Sequence, residues 1–191
     1  KGHDFPNVTL VGVINADTAL NVPDFRANER TFQLLAQVAG RAGRATKPGR
    51  TIIQTHNPRH EALSAAARHD FDGFFRGEIV RRELSHYPPF TRAALVSVSD
   101  MDRREGQMAS LRLRHAALGA ARALDVPADY VQGPGPAPLA KIKNRYRFQL
   151  LIKARDINAL RRIGAAVLQE AEAMARTHLR VRVDIDPQNL L

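Results

Sequence analysis

Apolar positions recur along this chain in two distinct rhythms, and the change from one to the other divides it. Val8-Thr-Leu-Val-Gly-Val-Ile-Asn-Ala-Asp17 is a nearly continuous apolar run, the pattern of a strand buried on both faces of a parallel sheet. A loop with Asn21 and Pro23 follows. Residues 27–43 then predict a helix whose core stripe is Phe32, Leu35, Ala36 and Ala39. Thr46-Lys-Pro-Gly49 reads as a turn, and Arg50-Thr-Ile-Ile-Gln-Thr55 as a second strand. Asn57-Pro58 opens a helix running to His69, since proline is tolerated at a first helical position. A further helix runs from Phe71 to Ser85. Strand, helix, strand, helix in this order predicts part of an α/β unit over residues 1–86.

Tyr87-Pro-Pro-Phe90 interrupts the pattern. Two prolines stop a helix and hold the chain extended, so residues 87–90 are either an ordinary linker or a packed seam with Tyr and Phe at its ends. Residues 91–191 have a cleaner rhythm. Ala93–Ser99 is a strand, and Arg103–Leu124 a helix with Met108, Leu111, His115, Leu118 and Ala121 near helical spacing. Tyr130-Val-Gln132 starts a strand that Gly133-Pro-Gly-Pro-Ala-Pro138 interrupts. Arg145–Ala154 is a strand of alternating character. Asp156 caps the next helix, with Ile157, Leu160, Ile163, Val167 and Leu168 facing inward. Val181-Arg-Val-Asp-Ile-Asp186 alternates strictly, as a strand with one wet face does. The order is β-α-β-β-α-β, the ferredoxin-like α+β arrangement, and this arrangement by itself names no function.

Composition narrows the partners. The 191 residues carry a formal charge of +10 and are 44% hydrophobic, which fits a soluble globular chain with an anionic partner. Residues 1–90 hold 12 basic and 9 acidic side chains, whereas residues 91–191 hold 17 and 10. Most of the excess therefore lies in the second unit. No cysteine is present, so thiolate metal sites and disulfides within this chain are excluded. No apolar run approaches the ~18 residues that cross a bilayer. The chain opens on Lys1 inside motif-like sequence, the expectation for a fragment of a larger protein.

The most specific chemistry lies in Gln37-Val-Ala-Gly-Arg-Ala-Gly-Arg44. On a helix, Gln37, Arg41 and Arg44 share roughly one face. Paired guanidiniums suit a polyphosphate, because each offers a planar fork of donors to phosphate oxygens. The Gln-x-x-Gly-Arg-x-Gly-Arg pattern resembles motif VI of superfamily 2 helicases. Around it stand Lys1-Gly-His-Asp-Phe-Pro-Asn-Val-Thr-Leu-Val11, Ala16-Asp17, Pro23-Asp-Phe-Arg-Ala-Asn-Glu-Arg30, Glu83, the Tyr-Pro-Pro-Phe segment, the Gly-Pro repeat, Arg145-Tyr-Arg-Phe-Gln149 and Asp184-Ile-Asp-Pro187. As an ordered set over the whole chain, these resemble the primosomal replication-restart helicases.

The resemblance implies an ATP-dependent DNA helicase of 3′-to-5′ polarity that recognises abandoned replication forks and reloads the replisome in the bacterial cytoplasm, at the nucleoid. ATP and Mg²⁺ would bind between two RecA-like lobes, of which residues 1–86 would be the end of the second. On this reading Arg44 is the arginine finger, Arg41 its companion, and Gln37 either positions the attacking water or links the lobes. Gly2 falls in motif V, where backbone approaches nucleotide, and Asp4 would contact the ribose. Asp17, Asp24 and Arg26 are either contacts between motifs or salt-bridged loop residues. The chain holds neither a Gly-x-x-x-x-Gly-Lys-[Ser/Thr] phosphate loop nor an Asp-Glu-x-His box, so alone it is expected not to hydrolyse ATP. The family's zinc would be held by cysteines upstream of Lys1.

Lys141-Ile-Lys-Asn-Arg-Tyr-Arg-Phe-Gln149 joins four cations and two aromatics with no acid. Cations neutralise phosphates, and aromatics can stack bases. On a strand, however, Tyr146 and Phe148 point away from Arg145, Arg147 and Gln149, which favours a core role for the rings. The resemblance implies that this segment docks the acidic C-terminal tail of single-stranded DNA-binding protein, through Arg145 and Gln149 above all. Lys141 and Lys143 would face either that partner or DNA, branched or single-stranded. Other primosome proteins are implied partners as well, and a membrane is not. The competing reading is a non-catalytic module that binds DNA and partner proteins beside a degenerate helicase lobe.

Overall fold

The computed structural model describes residues 8–40, 49–174 and 176–190. By internal contacts the chain forms two compact units, Lys1–Arg81 and Arg82–Leu191.

In the first unit, β1 (Leu10–Val13) and β2 (Arg50–Ile53) lie parallel with Val11 opposite Thr51. Around them are α1 (Asp17–Leu20), α2 (Ala27–Ala39), α3 (Glu61–Ala67) and α4 (Phe71–Leu84). The core is Ala16, Phe32, Leu35, Ala62, Leu63, Ala65, Ala66 and Phe74, with Val13 and Ile53 packed against it. α3 begins later than Asn57-Pro58 suggests. His60 is its N-cap, and the His60 Nδ1 accepts from the Ala62 N–H at 3.2 Å. Pro58 sits in the turn before it.

The second unit runs β3 (Arg92–Asp100), α5 (Arg103–Arg122), β4 (Val131–Ile142), β5 (Arg145–Ala154), α6 (Ile157–Ala173) and β6 (Arg180–Ile185). The sheet order is β4-β5-β3-β6, antiparallel throughout, so this is a mixed α+β unit with the βαββαβ element order. Even-numbered residues of β3 and β5 (Ala94, Val96, Val98; Phe148, Leu150, Ile152, Ala154) form one core with both helices. Asp102 and Asp156 cap those helices, accepting from the backbone N–H of Glu105 at 3.0 Å and Ala159 at 2.9 Å.

In the first unit β1 ends at Val13 and is not buried on both faces, since Leu10 is 59% exposed, and residues 17–20, expected as strand end and loop, form α1. In the second unit two elements depart from the sequence expectation. β4 is one strand through Gly133-Pro-Gly-Pro-Ala-Pro138, with register shifts, and is not interrupted. It lies at the edge of the sheet, where prolines forfeit no ladder bond on the outer side. Gly133 takes a φ of 91° there, and a Cβ on it would fall 2.7 Å from the Gln149 carbonyl oxygen. α5 keeps only part of the stripe its spacing suggested: Ala121 is buried and Leu118 packs against the core. Met108 and Leu111 are 53% and 45% exposed, whereas Gly106, Ala109, Ser110, Leu113, Ala117 and Ala121 are buried. Small side chains let the helix approach the sheet closely; a Cβ on Gly106 would meet the Phe148 ring at 3.0 Å. In α6, Leu160, Ile163 and Val167 are buried as expected, but Leu168 is exposed.

Candidate functional site

In the first unit the parallel strands bring their carboxyl ends together. Just beyond them, the Asp17 carboxylate accepts from the Thr55 hydroxyl at 2.8 Å and the His56 N–H at 2.9 Å. The His56 N–H, then the Thr55 hydroxyl, holds the Asp17 carboxyl below the usual carboxylate range. Asp17 therefore ties the loop after β1 to the end of β2. Asp24 has a similar role. Its buried carboxylate accepts from the Arg26 N–H at 2.9 Å and pairs with Arg30 at 3.0 Å. The Arg26 guanidinium lies 4.2 Å from the centroid of the Phe25 ring. These contacts make Asp24 a salt-bridged loop residue and Asp17 a hydrogen-bonded tie between two loops.

Gln37 is exposed on the last turns of α2. Arg41, Arg44, Gly2 and Asp4 lie outside the described residues. Of the motif VI set, the structure thus gives the exposed glutamine and the helix that carries it.

The basic segment of the second unit is a hairpin. β4 and β5 join through Lys143 and Asn144, whose φ angles are 47° and 58°, as a two-residue turn of the favoured twist requires. Arg145, Arg147 and Gln149 lie on the sheet face opposite the helices, while Phe148 is buried with the core and Tyr146 packs against it. The rings therefore have the core role.

Arg145 is the most constrained cation of the segment. Its Nη2 donates to the Ser99 carbonyl at 3.0 Å and to the His178 carbonyl, and its Nε to the Ser99 hydroxyl at 3.3 Å. Every acceptor is neutral, so the guanidinium is oriented while its charge stays unneutralised. Arg147 donates to the Leu139 carbonyl at 3.4 Å. Lys141 rests 4.6 Å from the centroid of the Tyr146 ring, with its ammonium 3.4 Å from the hydroxyl. Lys143 is exposed at the tip. Among the described residues, none of these four cations has a carboxylate within ion-pair distance. Gln149 adds a second unmet demand: its side-chain Nε2 is buried and has no hydrogen-bond partner. A buried donor without an acceptor is costly, about 1–3 kcal/mol, and an acceptor from outside would meet this amide only if the side chain turned outward.

Comparison with known proteins decides the family. Residues 83–188 match the model of the primosomal protein N C-terminal domain, which covers more than half of the chain. The chain belongs to the PriA family. It is 40% identical, over its whole length, to the replication restart protein PriA of Bacillus subtilis and also to that of Treponema pallidum, and 38% identical to that of Haemophilus influenzae. It covers 23%, 28% and 25% of those proteins, so it spans about a quarter of the curated relatives it matches. No helix among the described residues is long and apolar enough to cross a membrane, and no group of His, Asp or Glu among them is placed to hold a metal ion.

One residue of this PriA-family chain escaped the sequence reading. Lys153, opposite Ala93, is only 2% exposed. Its ammonium donates to the Ser85 carbonyl at 2.9 Å and lies 4.7 Å and 5.6 Å from the ring centroids of Tyr87 and Tyr130. Burial pushes its pKa below the ordinary lysine value, with Asp129 acting in the opposite sense. The Thr91 hydroxyl adds a second peg, donating to the His86 carbonyl at 2.8 Å. The Tyr-Pro-Pro-Phe segment is therefore packed and pinned. The available signal was a lone lysine in the apolar run Leu150-Leu-Ile-Lys-Ala154: only a cation with partners is retained at such a position.

Proposed function

We propose that this chain is part of an ATP-dependent 3′-to-5′ DNA helicase that recognises stalled or abandoned replication forks and restarts replication by primosome assembly. The reading rests on the family and on the relatives' printed role in replication restart. On this reading the first unit is the end of the second RecA-like lobe, and the protein works in the bacterial cytoplasm, at the nucleoid. Arg44 and Arg41 approach the terminal phosphate of ATP when the lobes close, and Gln37 orients the attacking water or links the lobes. Gly2 and Asp4 belong to the nucleotide side of the same cleft. The nucleotide, with its Mg²⁺, supplies the phosphoryl group; the chain's own contribution is cationic charge aimed at the oxygens where negative charge grows. Zinc has no thiolate ligands in this chain and is assigned to cysteines elsewhere in the full-length protein.

The second unit then serves as a docking module. The observation that carries this is the oriented, unneutralised Arg145 guanidinium on the same face as the unpartnered Gln149 amide. A carboxylate on Arg145 and an acceptor on Gln149 are what the acidic tail of single-stranded DNA-binding protein offers. Lys141, Lys143 and Arg147 extend the positive surface towards the tail or DNA.

Arg145→Glu is expected to weaken binding of an acidic tail peptide at least tenfold, equivalent to about 1.4 kcal/mol, and Gln149→Ala to weaken it less. Titration of a labelled peptide at low and at moderate salt checks this. Affinity unchanged by Arg145→Glu would remove the hairpin face as the docking site.

A further inference from the structure

The sequence Phe71-Asp-Gly-Phe-Phe75 places three phenylalanines in five residues at the start of α4, and the core uses only one of them. Phe74 is 4% exposed and stacks on Phe32 of α2, with centroids 4.4 Å apart and planes 2° apart. Phe71 and Phe75 are 60% and 50% exposed. Their rings are nearly parallel, 14° apart, with centroids separated by 6.2 Å. Phe71 in turn lies 6.1 Å from Phe32. Four aromatic rings thus form a continuous series from the interior to the surface, in the order Phe74, Phe32, Phe71 and Phe75.

Full burial of a phenylalanine is worth about 1.5–3 kcal/mol, and two half-exposed rings forfeit part of it. Their surroundings indicate what would regain it. Arg76 follows Phe75, is exposed, and has no carboxylate within ion-pair distance among the described residues. Arg68 lies just ahead, 3.9 Å from Asp70, and the Asp70 carboxylate accepts from the Gly73 N–H at the start of the helix. Asp72 is the exposed acid of the patch. Nearly parallel exposed rings next in sequence to an arginine without an ion pair among the described residues match a nucleobase with its phosphate.

We propose that Phe71 and Phe75 form a stacking platform for the bases of single-stranded DNA, with Arg76 contacting the adjoining phosphate. This rests on the proposed DNA-binding role and adds a residue-level site to it. Stacking of one base on an aromatic side chain is worth about 1–3 kcal/mol. The double substitution Phe71→Leu with Phe75→Leu keeps apolar bulk and removes the flat rings.

The test is a fluorescence-anisotropy titration of the 191-residue chain with a 20-nucleotide oligothymidylate and with an abasic strand of the same length. The unsubstituted chain is expected to prefer the thymidylate strand. The double variant should bind that strand about tenfold or more weaker and lose the preference, with its circular-dichroism melt unchanged. Arg76→Gln should weaken both strands alike and reduce the salt slope by about one. Equal affinity of the chain and the double variant for thymidylate overturns the platform while leaving DNA binding intact. Absence of binding to either strand by the unsubstituted chain overturns both. Concentration-dependent self-association that the double variant abolishes would identify the patch as a protein interface and overturn the platform.

Discussion

Arg44→Ala in the full-length protein is expected to lower DNA-stimulated ATP turnover by about 10³–10⁵-fold, the range an arginine finger supplies to phosphoryl transfer, while binding to forked DNA is retained. The separation follows from what the guanidinium does. On the proposed reading it meets charge that develops only as the phosphoryl group leaves, so its loss would be felt in turnover and not in DNA affinity. Arg44→Lys keeps the charge but not the planar fork of donors, and is expected to recover little. Steady-state ATPase rates and a DNA titration at one salt concentration check both. Fork restart left intact in cells by Arg44→Ala would instead favour a non-catalytic module that binds DNA and partner proteins, and unaltered turnover would overturn the arginine-finger role. The 191-residue chain alone lacks a phosphate loop and is expected to be silent in the same assay; DNA-stimulated hydrolysis from it would overturn that expectation.

Lys153→Glu is expected to be the most damaging single change in the second unit. It would put a carboxylate where the ammonium now meets the Ser85 carbonyl and two tyrosine ring faces, all of them electron-rich. An uncompensated buried charge costs about 3–5 kcal/mol, a large share of the roughly 5–15 kcal/mol that holds a domain together. Lys153→Met retains the stem and leaves only the Ser85 carbonyl without its donor, a cost of about 1–3 kcal/mol that relief from burying the charge offsets in part.

A pH series separates the two contributions. The folded chain holds the Lys153 proton less tightly than the unfolded chain, whose lysine titrates near 10.5. Between the lowered value and 10.5 the unfolded state binds more protons, so the stability of the unsubstituted chain should rise with pH relative to Lys153→Met. Urea denaturation of the three proteins at neutral and alkaline pH measures this. A Glu variant as stable as the parent would mean that water, and not the tyrosine pair, surrounds residue 153.

The relation between sequence and structure differs from element to element. β3, β5, α6 and the cap at Asp156 follow directly from local pattern, because alternation and capping chemistry are properties of neighbouring residues. α5 does not follow. Its Met108 and Leu111 are exposed, and the helix buries Leu113 among glycine, alanine and serine positions, since close approach to Phe148 and the sheet favours small side chains along most of that face. β4 reads as broken because its prolines and glycines are turn formers, and they are accommodated because the strand is an edge. The hairpin cations were legible as a cluster, but the neutral acceptors that orient Arg145 come from Ser99 and His178, 46 and 33 residues away in sequence.

By itself the sequence determined the family, the element order of the second unit and the positive charge of the second half, since these are one-dimensional properties: spacing, composition and pattern. The tertiary structure decided which charges are neutralised and which remain available. It paired Asp24 with Arg30 and left Arg145 among carbonyls. It enclosed Lys153 between two tyrosines, and buried Phe74 while leaving Phe71 and Phe75 outside. Those outcomes depend on which distant residues meet at a given depth from water. Electrostatic and hydrophobic energies are set by that depth and by those neighbours, and neither is a property of any segment read alone.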